Sequence, residues 1–417
     1  MKKNVIFINN KLFNTSLLVA GILLLMSSCH SLKQTKSSGS GYASFQLTVV
    51  DSSIVFEPDT AKSEIQNGGY ASMRIPALVR TPKGTLLAFC EGRVGTASDW
   101  TDMDLLLRRS TDGGKSWQHL QVVAKRQKGP TSNATPIVSS DGTIHLLYQR
   151  DYARAYYTRS TDEGKSWLEP VDITPVVDQF KKDYSWNVLA PGPGHALQLE
   201  NGRLLAPIWL ANSAVTGAKR KHSPSVVATI YSDDLGRTWK AGSIAAYNTP
   251  ELTNPNESVL TQLNDGRVMI NIRSGSKAHL RATSISPDGI SNWSKPVFDT
   301  ALFDPICMAG LIRLPLKATV AENGKEKRAT VLAFSNPDSR DIPKHPRRNL
   351  TLKISPDAGQ SWPVSMVINK GAAGYSDLAV ENNGKKTGFI YCLYETNTVG
   401  QGWNYSLVLK RVKWIRK

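Results

Sequence analysis

Charged and phenolic side chains recur in this chain at matching distances from a series of turn glycines. Arg74, Glu257 and Tyr375 stand ten, nine and nine residues before Gly84, Gly266 and Gly384. Arg273, Arg93 and Glu395 stand seven, nine and eleven residues after Gly266, Gly84 and Gly384. Asp99 follows in the next connection of the first unit, and Arg348 begins a later strand, with Arg347 beside it. Arginine presents a permanently charged planar fork for carboxylate or phosphate, and carboxylates move protons. Guanidiniums gathered without an anion would repel one another, so this set suits acid–base chemistry on an anionic substrate.

What must position them is a repeat. STDGGKSW (Ser110 to Trp117) recurs as STDEGKSW (Ser160 to Trp167), SDDLGRTW (Ser232 to Trp239) and SPDAGQSW (Ser355 to Trp362). A blurred copy, SPDGISNW, runs from Ser286 to Trp293. Each reads as a tight turn in which Asp accepts backbone N–H bonds, Gly takes a positive φ and Trp packs beneath. A second signal precedes each motif: a Gly turn at Gly84, Gly142, Gly202, Gly266, Gly324 and Gly384, at separations of 58, 60, 64, 58 and 60 residues. Short apolar strands flank these turns (LLAFCE, IHLLYQ, LLAPIW, VMINIR, TVLAFS, FIYCLY), which signals antiparallel hairpins. Six units of about 60 residues with four strands each predict an all-β, six-bladed β-propeller. The segment Phe45 to Phe56 is left over and is expected to close the ring as the outer strand of the last blade. In that topology the Gly turns and Asp motifs share one face, and the chemistry-bearing residues share the opposite mouth.

Composition bounds the partners. With 51 Lys+Arg against 34 Asp+Glu the formal charge is +17, which suits an anionic partner. No long basic run interleaved with aromatics marks a nucleic-acid stripe, so nucleic acid is not expected. Lys2, Lys3 and Lys11 precede an apolar run, Leu17 to Met26, that is too short to span a bilayer. MSSC then resembles a lipoprotein cleavage box, so residues 1–28 are read as a signal peptide and Cys29 as a lipid anchor. Residues 29–41 read as a flexible tether and 42–417 as the propeller, placing the protein in the cell envelope. Cys90, Cys307 and Cys392, odd in number and set in apolar strands, are expected as buried free thiols. The seven His show neither HExxH nor a His/Cys cluster, so no metal or other cofactor is expected.

The ordered set of RIP at Arg74, EGR ending at Arg93, Asp99, Glu257, NIRS at Arg273, RRNLT and GYS at Tyr375 resembles the retaining exo-α-sialidase family with Asp-box propellers, over roughly Tyr70 to Leu409. The resemblance implies hydrolysis of terminal sialic acid from glycoproteins, glycolipids and oligosaccharides by a monomer. It implies that Arg74, Arg273 and Arg348 grip the substrate carboxylate, Arg348 being preferred to Arg347 from its spacing before Leu350 and Thr351. Tyr375 takes the place of the nucleophile, Glu257 of its base, and Asp99 of the general acid/base, with Asp102 as rival. A neutral phenol avoids the repulsion that an attacking carboxylate would meet from the substrate's own carboxylate. Arg93 resembles the contact to the O4 region and Glu395 the acid that holds Arg74. The loop from Lys181 to Gly194 is expected at the mouth, with Trp186 either shaping specificity or anchoring the loop. The same residues would serve a trans-sialidase or an intramolecular trans-sialidase, and a non-catalytic glycan-binding propeller is the alternative from another class.

Overall fold

The computed structural model describes residues 44–58, 69–217, 221–316, 318–322, 325–381, 386–397 and 405–417. The leader, the tether, Cys29, Gly324 and Gly384 lie outside these residues. Six four-stranded antiparallel blades follow one another along the chain, the third with an extra short strand. Blade 1 comprises Ser72–Arg80, Leu86–Arg93, Met103–Ser110 and Gln121–Ala124. Blade 2 runs from Thr131 to Asp172, blade 3 from Val188 to Ala246, and blade 4 from Ser258 to Phe303. Blade 5 is formed by Gly310–Arg313, Leu332–Pro337, Arg348–Ser355 and Val364–Ala372. Its first connection carries an inserted hairpin, Ala318–Glu322 with Lys325–Ala329, so its first and second strands are not joined by a direct turn as the spacing suggested.

Blade 6 is built from Ser376–Val380, Thr387–Asn397 and Tyr405–Arg416, and its outer strand is Phe45–Phe56 from the other end of the chain. The expected closure is therefore present, and it pairs an otherwise open edge. First strands of neighbouring blades touch around the ring, including blade 6 against blade 1, and between blades 3 and 4 the strand Leu204–Ala211 meets Ser258–Gln262. The core is correspondingly divided into six wedges, one per blade interface. Leu86, Leu106, Leu393 and Leu409 join blades 6 and 1, while Ile137, Leu147, Leu204 and Ile230 join blades 2 and 3. A seventh cluster, Ile75, Cys307, Met308 and Tyr375, lies apart from these.

The Asp motifs form the turns read from the sequence. Asp112 accepts from the backbone N–H groups of Lys115 and Ser116 at 3.0 Å, and Ser110 Oγ donates to it at 2.8 Å. Gly114, Gly164, Gly236, Gly289 and Gly359 all take φ between +77° and +87°. Thr81 Oγ1, in the Gly turn of blade 1, donates to Glu163 in the Asp motif of blade 2 at 2.6 Å. The two kinds of turn thus share a face, and the other ends of the inner strands form the mouth.

Candidate active site

Strand pairing carries the mouth residues beyond the regular ladders. Arg273 N–H donates to Glu257 C=O at 3.2 Å, so these residues sit opposite each other at the open end of blade 4. Glu395 N–H donates to Tyr375 C=O at 2.9 Å, doing the same in blade 6. Tyr375 Oη donates to Glu257 Oε1 at 2.8 Å and accepts from Arg273 Nη1 at 2.7 Å. Arg273 Nη1 also pairs with Glu257 Oε2. A buried phenol therefore has a carboxylate to receive its proton and a cation against its oxygen.

Three guanidiniums surround the Tyr375 ring. Those of Arg347, Arg74 and Arg273 lie 5.1, 5.2 and 5.7 Å from its centroid. Arg348 is exposed and is not among them, which corrects the preference drawn from its spacing. The reason is a break in strand alternation. Asn349 adopts φ +61°, and the register of the third strand shifts between Arg348 and Leu350, so the residue before the strand turns inward instead. Arg347 Nη2 is then held by Ile306 C=O at 2.5 Å. A comparable break occurs in blade 1, where Ile75 at φ +60° follows Arg74 and the register shifts between Arg74 and Ala77. A β-branched residue at positive φ is strained, and such strain persists only where surroundings hold it.

Glu395 is the holder. Its carboxylate accepts from Arg74 Nε at 3.0 Å, Arg74 Nη2 at 3.2 Å, Ile75 N–H at 2.9 Å and Tyr375 N–H at 3.1 Å. It is fully buried, and a Cβ on Gly374 would meet its Oε2, which explains glycine before Tyr375. One carboxylate thus holds the Arg74 guanidinium and the phenol-bearing backbone together.

Asp99 lies in the mouth connection of blade 1, with its side chain 42% exposed. Arg93 Nη1 donates to it at 2.8 Å, and Arg74 Nη1 is 3.5 Å away. Burial alone would raise its pKa, but Arg93 and Arg74 outweigh burial and hold the carboxyl below its usual range. Arg93 itself is buried and clamped by Glu91 at 2.7 and 3.0 Å. The rival, Asp102, faces elsewhere and accepts from Gly129 N–H at 2.9 Å, while the nearby Asp104 accepts from Tyr70 Oη at 2.6 Å. Burial pushes the Tyr375 phenol well above its ordinary value, and Glu257 adds to the rise while Arg273, Arg347 and Arg74 oppose it.

Beneath the site Asp377 crosses the axis. Its carboxylate accepts from Leu78 N–H at 2.8 Å, His195 N–H at 2.9 Å and His195 Nδ1 at 2.6 Å, tying blades 1, 3 and 6 just below Tyr375. Trp186 is an anchor: it is buried in the wedge between blades 2 and 3, and its Nε1 donates to Val177 C=O at 3.1 Å.

A partly open cavity of about 90 Å³ is lined by Arg93, Asp99, Glu257, Arg273 and Tyr375, together with residues the sequence reading passed over: Asn133, Tyr152, Trp209 and His222. Asn133 stands nine residues before Gly142 and Trp209 seven after Gly202, the same offsets as Glu257 and Arg273, so the glycine ruler contained both. Tyr152 and His222 lie in connections of irregular length, where no periodic signal exists. Cys90, Cys307 and Cys392 are buried free thiols. Among the described residues no group of three or more His, Cys, Asp or Glu is placed to hold a metal ion.

Fold and site define a six-bladed propeller with Asp-box turns at one face and, at the other, a tyrosine flanked by a carboxylate and three guanidiniums. The chain belongs to the BNR repeat-like domain family, matched over residues 84–391. It is similar to a sialidase of Micromonospora viridifaciens, at 32% identity over 369 residues, covering 81% of this chain and 52% of that protein. It is 30% identical over 361 residues to a sialidase of Bacteroides fragilis, covering 78% of this chain and 60% of the relative. Among solved structures it resembles a Hadza microbial sialidase with a TM-score of 0.66 and 25% identity, covering 82% of this chain and 66% of the other. The chain thus spans about half to two thirds of the length of these relatives.

Proposed function

We propose that the protein is a retaining exo-α-sialidase that hydrolyses terminal sialic acid from glycans through a covalent sialyl-tyrosine. The observation that carries this is the 2.8 Å hydrogen bond from Tyr375 to Glu257 inside a ring of three guanidiniums. Arg74, Arg273 and Arg347 receive the substrate carboxylate, which supplies the anion that such a cluster requires. Tyr375 Oη attacks the anomeric carbon while its proton passes to Glu257. Asp99 gives a proton to the departing glycosidic oxygen. Asp99 then takes a proton from water, the water oxygen bonds to the anomeric carbon, and Tyr375 leaves and recovers its proton from Glu257.

With ordinary values of about 10 and 4.3, proton transfer from phenol to carboxyl alone is uphill by roughly 8 kcal/mol. Burial of Tyr375 makes that deficit larger in the free site, so transfer is coupled to carbon–oxygen bond formation. The substrate carboxylate also neutralises part of the Arg74 field on Asp99. That moves the carboxyl upward towards the protonated form that an acid needs.

Turnover of a fluorogenic sialoside tests the activity, and a fluorinated sialic acid that stalls the second displacement tests the intermediate. The expected result is release of sialic acid and a mass adduct on the peptide containing Tyr375. No release between pH 4 and 8 would remove the reading. The Lys2, Lys3, Lys11 and Cys29 pattern supports export and lipid anchoring, and Cys29→Ala is expected to move the protein from membrane to soluble fractions.

A further inference from the structure

His222 occupies the connection between the second and third strands of blade 3, the topological counterpart of the Asp99 connection in blade 1. Three aromatic rings from blades 1, 2 and 3 hold its imidazole: Tyr152 at 4.7 Å, Trp100 at 4.8 Å and Trp209 at 5.1 Å between centroids. His222 and Trp209 both line the cavity that contains Tyr375 and Glu257. His222 Nε2 and Trp209 Nε1 are each buried with no hydrogen-bond partner among the described residues. A buried polar atom is costly to leave unpaired, and the great majority in folded proteins have a partner. Two such atoms, both on side chains that line one small cavity, point to the cavity's occupant as the missing partner.

The occupant's chemistry follows from the ring. Burial drives the His222 pKa below its ordinary 6.5 despite the attraction of Asp99 and Glu257, and Arg273 and Arg93 push the same way as burial. That direction favours the neutral imidazole, and three arginines are already placed for the substrate carboxylate, so His222 is assigned to a neutral group of the substrate. A hydroxyl both donates and accepts, so it satisfies Nε2 in either tautomer, while Trp209 Nε1 donates only. Tyr375 and Glu257 line the same cavity, so the contacted hydroxyl is assigned to the sugar undergoing reaction and not to the leaving group.

We propose that His222, held by Trp100, Tyr152 and Trp209, is a specificity residue whose Nε2 hydrogen-bonds a hydroxyl of the sialic acid itself. This rests on the sialidase reading. The test uses the full chain with a methylumbelliferyl sialoside, sialyllactose and a series of sialosides each lacking one hydroxyl. His222→Phe keeps a caged ring and removes the nitrogens. Its kcat/KM is expected to fall about tenfold, equally for both leaving groups, with His222→Gln recovering part of the loss. One deoxy substrate is expected to show the same kcat/KM with wild type and His222→Phe, because the bond is already missing. Wild-type kcat/KM in His222→Phe on the parent substrate, or equal losses from every deoxy substrate in both proteins, would overturn the proposal. A fall confined to sialyllactose would also overturn it, by placing the contact on the leaving group. Activity of the wild type on the parent substrate separates all of these from failure of the sialidase reading.

Discussion

At the turn face, Asp112 collects its hydrogen bonds from Ser110, Lys115 and Ser116, all within four residues of itself. At the mouth, Glu395 and Arg74 meet across 321 residues of chain, and Tyr375 and Glu257 across 118. The same chemical types serve opposite ends. Asp112, Asp162 and Asp234 are satisfied by their own turns, and their pKa values fall to about 2 through hydrogen bonds from the adjacent Ser and Thr residues. At the mouth, Glu395 and Glu257 have partners on other blades. Repetition therefore belongs to the face that needs only local bonding, and divergence among blades to the face where each blade contributes one part of a site.

The comparison is broken most severely at the phenol. Tyr375→Phe is expected to lower kcat by at least about a thousandfold with no fall in thermal stability, measured by steady-state kinetics beside calorimetry. Asp99→Ala should follow, but with a much smaller loss on a methylumbelliferyl sialoside than on sialyllactose, since an aryl leaving group hardly needs a proton. Equal losses on the two substrates would deny Asp99 the role of acid.

Next in size is the pair of adjacent arginines. Arg347→Ala removes a charge-assisted contact to the substrate carboxylate and should raise KM roughly 10- to 150-fold, whereas Arg348→Ala should change it less than about twofold. The reverse ranking would mean that the strand alternation read at Asn349 is wrong.

The turn face should respond in stability alone. Asp112→Ala is expected to cost about 1 kcal/mol, as loss of a capping carboxylate does, with kcat unaltered. Because these carboxyls have depressed values in the folded protein, their contribution is present above the ordinary 3.8 and is lost as pH falls towards about 2. Acid unfolding of the Asp112→Ala variant should accordingly show a shallower dependence on pH than wild type.

The smallest effect lies between the two faces, at His195. Asp377 raises its pKa against the opposing effect of burial. Stability from this pair is fully present below the unfolded value near 6.5 and is lost as pH rises through the higher folded value. Thermal melts of His195→Gln should lose that alkaline decline. A wild-type decline of unchanged slope in the variant would assign it to another group.

Much of the architecture was legible because it rests on short-range signals. The Asp motifs, the glycine spacing and the leftover strand at Phe45–Phe56 together specify blades, faces and ring closure. The choice of Arg348 failed at one residue: a strict two-residue alternation holds only while every residue is extended, and Asn349 is not. His222 and Tyr152 were invisible for a different reason, since connections carry no period by which to place a side chain.

The sequence alone determined the repeat, the turn chemistry and the supply of arginines, carboxylates and a tyrosine at strand ends, because these follow from local hydrogen bonding and strand alternation. Tertiary structure decided which of them meet. Ring closure brings blade 6 to blade 1, left-handed residues re-aim Arg74 and Arg347, and Glu395 joins Arg74 to Tyr375 across most of the chain. Such contacts depend on the angle between blades and on single backbone kinks, and neither is written in spacing.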